Sequence, residues 1–338
     1  METTQFRLAA RPVGMTKESD FERTTETVRE LNDGEVLVKT LYLSLDPAMR
    51  GWMNDAKSYI RPVQIGEVMR AGGLGVVVAS KSSRFAVGDH VSGGLGVQTH
   101  WLGAADDRSA ALYKIEPSLA PLPTWLNTLG MPGMTAYFGL LEVGQPRSGE
   151  TVVVSGAAGA VGQTVGQVAK QLGCRVVGIA GGKDKCDMVV NELGFDACID
   201  YKNGDVRAGL KEHCPNGVDV YFDNVGGDIL DIVLTRINMK ARIVICGAIS
   251  QYNNTTPVKG PSNYLSLLVN RARMEGMVVF DYADRYPVAA AALGKWLKEG
   301  KIKSKEDVVR GIENFVPALN MLFEGKNFGK LILQVADQ

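Results

Sequence analysis

The chain has 338 residues, 45% of them hydrophobic, which is enough to bury a large core and to divide into two domains. Lys plus Arg and Asp plus Glu both number 37, so no net field draws it to nucleic acid or to an anionic membrane surface. No stretch approaches the roughly twenty apolar residues that span a bilayer, and the opening METTQFRLAARPVGMTKESDF lacks the apolar core of a secretory leader. Five cysteines (Cys174, Cys186, Cys198, Cys214 and Cys246) form no CxxC pair, and their odd number points to reduced thiols in a cytoplasmic protein.

From Gly34 to about Leu119 the texture is short strands with glycine and proline punctuation. Glu35 to Leu45, Gly75 to Ala79 and Val87 to Val91 read as β structure in a compact β-rich domain. From Leu129 the pattern changes to an alternation of helix and strand. It runs Pro132–Leu141 helix, Thr151–Val154 strand, Gln163–Leu172 helix, Arg175–Ala180 strand and Lys183–Leu193 helix. Val218–Phe222 and Ala241–Cys246 continue it as strands, and Pro287–Lys298 as a helix with proline at its start and Gly300 past its end. The alternation predicts an α/β class with a doubly wound parallel sheet. The last segment, Gly329 to Val335, reads as a strand that returns to the first domain. The boundaries are therefore 1–128, 129–302 and 303–338.

Between the strand at Thr151–Val154 and the next helix stands SGAAGAVG, with Gly156, Gly159 and Gly162 on the turn. A pyrophosphate can approach such a turn only where side chains are absent, and the free N–H groups at the helix start then bind the anion. GxGxxG would need a glycine at Ala157, so the turn is a variant of the dinucleotide fingerprint. About twenty residues on, where NAD-binding domains place an acid for the ribose 2′-OH, the chain has Gly181, Gly182, Lys183 and Lys185. Small residues leave room for a 2′-phosphate and lysines supply positive charge, so the predicted cofactor is NADPH/NADP.

Several ordered segments together resemble the zinc-independent medium-chain dehydrogenases/reductases of the prostaglandin reductase, alkenal double-bond reductase and curcumin reductase group. They are Ser44 to Arg50 (SLDPAMR), Gly66 to Met69 (GEVM), Gly130 to Tyr137 (GMPGMTAY), the glycine turn, Ala180 to Lys185, Asp223 to Gly227 (DNVGG), Cys246 to Asn253 (CGAISQYN) and Asn327 to Lys330 (NFGK). The likeness runs nearly end to end. Two departures stand out: Ala48, where many relatives carry tyrosine, and Lys183, where relatives often have a small or acidic residue. The resemblance implies a GroES-like β-rich domain built from both chain ends, a Rossmann domain between them and a homodimer.

It also implies roles for residues. Cofactor contacts fall on Gly156, Ala158, Gly159, Ala160, Val161 and Gly162 at the turn, and on Gly182, Lys185 and Tyr201 at the 2′-phosphate. Further contacts fall on Asn224, Val225, Gly226, Cys246 and Gly247 beside the nicotinamide, and on Met131, Thr135 and Asn327. Asp223 reads equally as a loop cap. Zinc enzymes of the wider superfamily need three protein ligands at workable spacing. Here His90, His100 and His213 are scattered, and Gly66-Glu67 lacks the adjoining histidine, so no metal site is expected.

Reduction of an α,β-unsaturated carbonyl needs less help than alcohol oxidation. Hydride delivered to the β-carbon pushes charge onto the carbonyl oxygen, where a hydrogen-bond donor suffices. Tyr252 is the candidate donor, with Tyr59 as a second candidate on the substrate side. The expected activity is NADPH-dependent reduction of the double bond of enones, alkenals or curcumin-like substrates. A quinone oxidoreductase, a carbonyl reductase or a non-catalytic NADPH-binding protein are the alternatives.

Overall fold

A computed structural model describes residues 1–337, which divide into two compact units, 1–126 with 306–337 and 127–305. In the first unit, β1 (Glu2–Leu8) and β2 (Phe21–Thr27) pair antiparallel as a ribbon. The chain continues through β3 (Glu35–Ser44), the short α1 (Ala48–Trp52), β4 (Gly73–Ser80), β5 (His90–Gly93), β6 (His100–Ala104) and β7 (Tyr113–Lys114). The strand read at Val87–Val91 begins only at His90. The Asp89 carboxylate accepts the Ala86 N–H at 2.7 Å and Gly88 takes φ +93°, which close a turn there.

The second unit opens with α2 (Met131–Phe138), whose last turns widen into a π-helical stretch over Gly139–Gly144. β8 (Thr151–Ser155), α3 (Ala160–Gln171), β9 (Arg175–Ala180), α4 (Lys183–Asp187) and β10 (Ala197–Asp200) follow. Then come α5 (Val206–His213), β11 (Val218–Asp223), α6 (Gly227–Leu234), β12 (Ile237–Ile245), α7 (Leu265–Asn270), β13 (Arg273–Gly276) and α8 (Tyr286–Lys298). All six strands run parallel in the order β10-β9-β8-β11-β12-β13. The order reverses direction between β8 and β11, and in such sheets the crevice beyond the carboxyl ends of those two strands is where ligands bind. One face buries Val153, Val177, Ile199, Tyr221 and Ile243, the near-continuous apolar texture expected of strands covered on both sides.

Past 305 the chain re-enters the first unit as β14 (Glu306–Arg310), α9 (Phe315–Glu324) and β15 (Lys330–Gln334). β15 pairs antiparallel with β3, completing the sheet β14-β15-β3-β4-β5-β7, with β6 also on β3. The predicted return of the last strand is thus present. Phe315 anchors this core, edge-on to Phe6 and Phe21 at ring-centre distances of 5.5 and 5.1 Å. The fold is the α/β class read from the sequence, a doubly wound parallel sheet plus a β-rich unit.

Candidate cofactor site and active-site tyrosine

The glycine turn leaves β8 at Ser155 and enters α3 at Ala160, three residues earlier than the sequence pattern placed the helix. The N-cap is Gly159, extended at φ −86° and ψ 177°, and it has no side chain to bond the first turn. The N–H groups of Ala160, Val161 and Gly162 therefore stand at an uncapped helix start, the arrangement that binds anions. Gly162 is required by contact: a Cβ there would lie 2.2 Å from the Gly156 carbonyl oxygen. Ala158 is buried beneath the turn.

The second anion-binding element caps β9. Gly182 takes φ +101°, a conformation side chains disfavour, and a Cβ there would meet nothing within 4 Å. Asp200, at the end of β10, accepts the Gly182 N–H at 2.7 Å and so fixes the turn from the neighbouring strand. Tyr201 lies over the turn, with its hydroxyl 2.8 Å from where a Gly181 Cβ would stand. Lys185 sits on the first turn of α4, while Lys183 is ion-paired with Asp187 one helical turn on. An uncapped helix start, an open glycine turn and a lysine on the next helix together suit a pyrophosphate and a ribose phosphate.

At the end of β11 a single carboxylate oxygen organises the loop that follows. Asp223 is 1% exposed, and its Oδ1 accepts the hydroxyls of Tyr221 (2.8 Å) and Ser155 (2.9 Å) and the N–H groups of Val225 and Gly226 (both 2.9 Å). Burial pushes its acidity down, raising the pKa against the pull of those four donors. Ser155 Oγ in turn accepts the Asn224 N–H at 3.0 Å, and the Asn224 side chain donates to the Ser155 carbonyl at 2.8 Å. The glycine turn and the Asn224–Gly226 loop are therefore one hydrogen-bonded unit. Sequence reasoning gave Asp223 at most a capping role and missed Ser155 and Tyr221 altogether. The only signal was the polar Ser155 ending an otherwise apolar strand.

The loop after β12 is laced to the same place. Cys246 and Gly247 donate their N–H groups to the Asp223 carbonyl at 2.9 and 3.1 Å, and Ile249 N–H reaches Asn224 O at 3.2 Å. Burial, with the Asp223 charge behind it, pushes the Cys246 thiol up to about 12, so it stays protonated at neutral pH. Tyr252 folds back over this loop, and its hydroxyl oxygen accepts the Ala248 N–H at 3.1 Å. A phenol oxygen fixed by one N–H can give its own hydrogen to a second acceptor, and accepting that bond strengthens it as a donor.

Met131 and Thr135 lie on α2, which packs against α3 and α8. Met131 is half exposed, and Thr135 Oγ1 donates to the Met131 carbonyl at 2.8 Å within its own helix. Tyr59 and Asn327 belong to the first unit. Tyr59 is exposed there, and Asn327 is buried with its side-chain amide on Gly329 O at 2.9 Å. Among the described residues no three His, Cys, Asp or Glu side chains gather as metal ligands. A catalytic zinc does not fit these residues.

Residues 4–110 match the family described as the N-terminal domain of oxidoreductase, and residues 160–294 that described as zinc-binding dehydrogenase. The chain is 43% identical to the NADPH-dependent curcumin reductase of Escherichia coli, over 97% of this chain and 96% of that one. It is 43% identical to the NADP(+)-dependent 2-alkenal reductase of Nicotiana tabacum, over 96% and 94%. The solved structure of CurA from Vibrio vulnificus in complex with NADPH is 44% identical, covers 99% of this chain and 100% of its own, and superposes with a TM-score of 0.93.

Proposed function

The chain belongs to the zinc-independent medium-chain dehydrogenases/reductases, in the group of curcumin, 2-alkenal and prostaglandin reductases, and from that premise we propose that it reduces the carbon–carbon double bond of α,β-unsaturated ketones and aldehydes with NADPH. The observation that carries the reading is the near end-to-end likeness to reductases of that chemistry, one of them solved with NADPH bound.

When bound, NADPH supplies the hydride that the β-carbon accepts. The protein's residues bind, orient and stabilise. The first-turn N–H groups of α3 hold the pyrophosphate, and Gly182, Lys185 and Tyr201 hold the 2′-phosphate. Asp223, by fixing Asn224–Gly226, sets the wall beside the nicotinamide. Tyr252 donates its hydroxyl hydrogen to the substrate carbonyl oxygen as negative charge gathers there, and the Ala248 N–H keeps the phenol aimed.

Mixing the protein with NADPH and a 2-alkenal or curcumin should consume the cofactor and yield the saturated carbonyl; an allylic alcohol as product sinks the proposal. Tyr252→Phe should lower kcat by about a hundredfold, the usual cost of losing one oxyanion donor. Lys185→Ala should raise KM for NADPH far more than for NADH, and equal effects would remove it from the phosphate site.

We further place the protein in the cytoplasm as a homodimer. Its five cysteines are all free thiols, as in reducing compartments. β13 ends the parallel sheet with every residue exposed, beside an α7 whose Leu265, Leu268 and Val269 are also exposed. Light scattering at micromolar concentration checks the dimer.

A further inference from the structure

Two thiols stand beside the 2′-phosphate turn, and the proposed reaction uses neither. The register of β10 on β9 sets Cys198 opposite Gly178 and Asp200 opposite Ala180, while Ala197, Ile199, Val177 and Ile179 fill the core on the other face. Cys198 and Asp200 therefore share the face toward which Gly178 admits Val189 and Ala157, the face on which α4 packs. Cys186 lies on α4, one residue after Lys185, where α4 packs on β10, and its thiol and that of Cys198 are each the other's strongest influence, through a hydrogen bond between them. Both side chains are partly exposed, unlike the buried Cys174 and Cys214.

The pairing makes the two sulfurs unequal. The hydrogen bond from Cys198 lowers the pKa of Cys186, while that same bond together with burial raises Cys198. Two neighbouring thiols on partly exposed residues, one placed to react and the other to resolve it, are the arrangement of a redox-active dithiol.

We propose that Cys186 and Cys198 close to a disulfide when a hydroperoxide reaches Cys186, and that closure loosens the hold of the Gly182–Lys185 turn on the cofactor. The Cys186 thiolate attacks the peroxide oxygen, the O–O bond breaks, and the leaving oxygen takes a proton and departs as water or an alcohol. The resulting sulfenic acid is attacked by the Cys198 sulfur. The S–S bond forms and hydroxide leaves with the Cys198 proton as water, so the two sulfurs lose two electrons that the peroxide gains. An S–S bond of about 2.05 Å draws the sulfurs in from hydrogen-bond contact. α4 is only five residues long, so its movement reaches Lys185. The effect on binding rests on the reading of Gly182–Lys185 as the 2′-phosphate site; the disulfide does not.

The test uses the full chain. Trypsin cuts after Lys185 and Lys202 and leaves both cysteines in one peptide, CDMVVNELGFDACIDYK. After hydrogen peroxide and then alkylation, that peptide should carry no alkyl group and be two hydrogens lighter than its unalkylated reduced form. The Kd for NADPH should rise several-fold and return with dithiothreitol, and Cys198→Ser should keep its Kd through the same treatment. Alkylation of both cysteines after peroxide, or added oxygen on one cysteine sulfur, overturns the disulfide. An oxidised protein with unchanged Kd overturns the link to the cofactor. Failure of the phosphate reading itself would show earlier, in reduced Lys185→Ala.

Discussion

Lys330 in the first unit and Asp223 in the second are each buried at the foot of a sequence motif, and the two are held in opposite ways. In the first unit Lys330 is 1% exposed, and its ammonium donates to the Leu45 carbonyl at 2.6 Å and to Asp46 Oδ1 at 2.7 Å. Ser44 Oγ steadies the other Asp46 oxygen at 2.5 Å. In the second unit Asp223 meets no cation, and four neutral donors converge on one of its oxygens while Oδ2 is buried without a partner among the described residues. Lys330 uses charge to join two segments 284 residues apart in the chain, through its bond to Asp46. Asp223 uses lone pairs to shape the loop just after it and to tie that loop to Ser155 on the neighbouring strand. The contrast teaches that a buried charged side chain can serve for its charge or for its acceptor geometry, and removing one atom set separates the two.

The largest effect should come from Asp46→Ala. It leaves the Lys330 ammonium buried with only a carbonyl, and stripping one partner from a buried pair costs about 3–5 kcal/mol, read as a fall in the urea midpoint. A change under about 1 kcal/mol would mean that water already solvates Lys330 and that the pairing in the first unit is incidental. Next, Asp223→Ala orphans four donors at once and should cost about 3 kcal/mol, with NADPH turnover falling further than stability explains. Asp223→Asn keeps an oxygen at Oδ1 and gives up the charge, so it should cost only about 1 kcal/mol and retain much of the NADPH affinity. An Asn variant as damaged as the Ala one would show that the charge matters in both units and would erase the contrast.

Much of this was visible in the sequence, and the failures have physical causes. β3, β4, β9 and β11 are rich in β-branched and other apolar residues, and α8 has proline near its start and Gly300 just past its end, so pattern alone located them. β13 escaped notice because all four of its residues are exposed, which leaves no period to read. The start of α3 was placed late because Gly159 caps it with backbone alone. Of the proposed site, the glycine turn before α3 and the turn at Gly182 could be read because local backbone chemistry dictates them. The Asp223 network could not, since it depends on Ser155, 68 residues away, arriving beside β11 through sheet order. The direction of the Tyr252 hydroxyl was hidden for a local reason, because it follows from how the irregular loop between them aims the Ala248 N–H.

The smallest effect belongs to Lys330→Met, and its pH dependence is the finest probe of the comparison. Asp46 keeps 29% of its side chain in water, so once the cation is gone that carboxylate can be solvated, and a flexible apolar chain refills the space. The cost at neutral pH should be about 1 kcal/mol or less. Burial lowers the Lys330 pKa below 10.5, with Asp46 pulling only part of the way back. Between that lowered value and 10.5 the unfolded chain binds more protons than the native one, so this lysine's contribution to stability grows as pH rises through the window. Asp223 runs the other way: its raised pKa favours the native state in acid, and that contribution is lost as pH climbs from 3.8 through the native value. The stability of the wild type minus that of Lys330→Met should therefore increase from neutral pH toward 10.5, while the corresponding difference for Asp223→Asn should fall as pH climbs from 3.8 through the raised native value. A flat or falling difference for Lys330 in alkali would mean that the Asp46 charge outweighs burial, and the lysine would then be held as an ordinary ion pair.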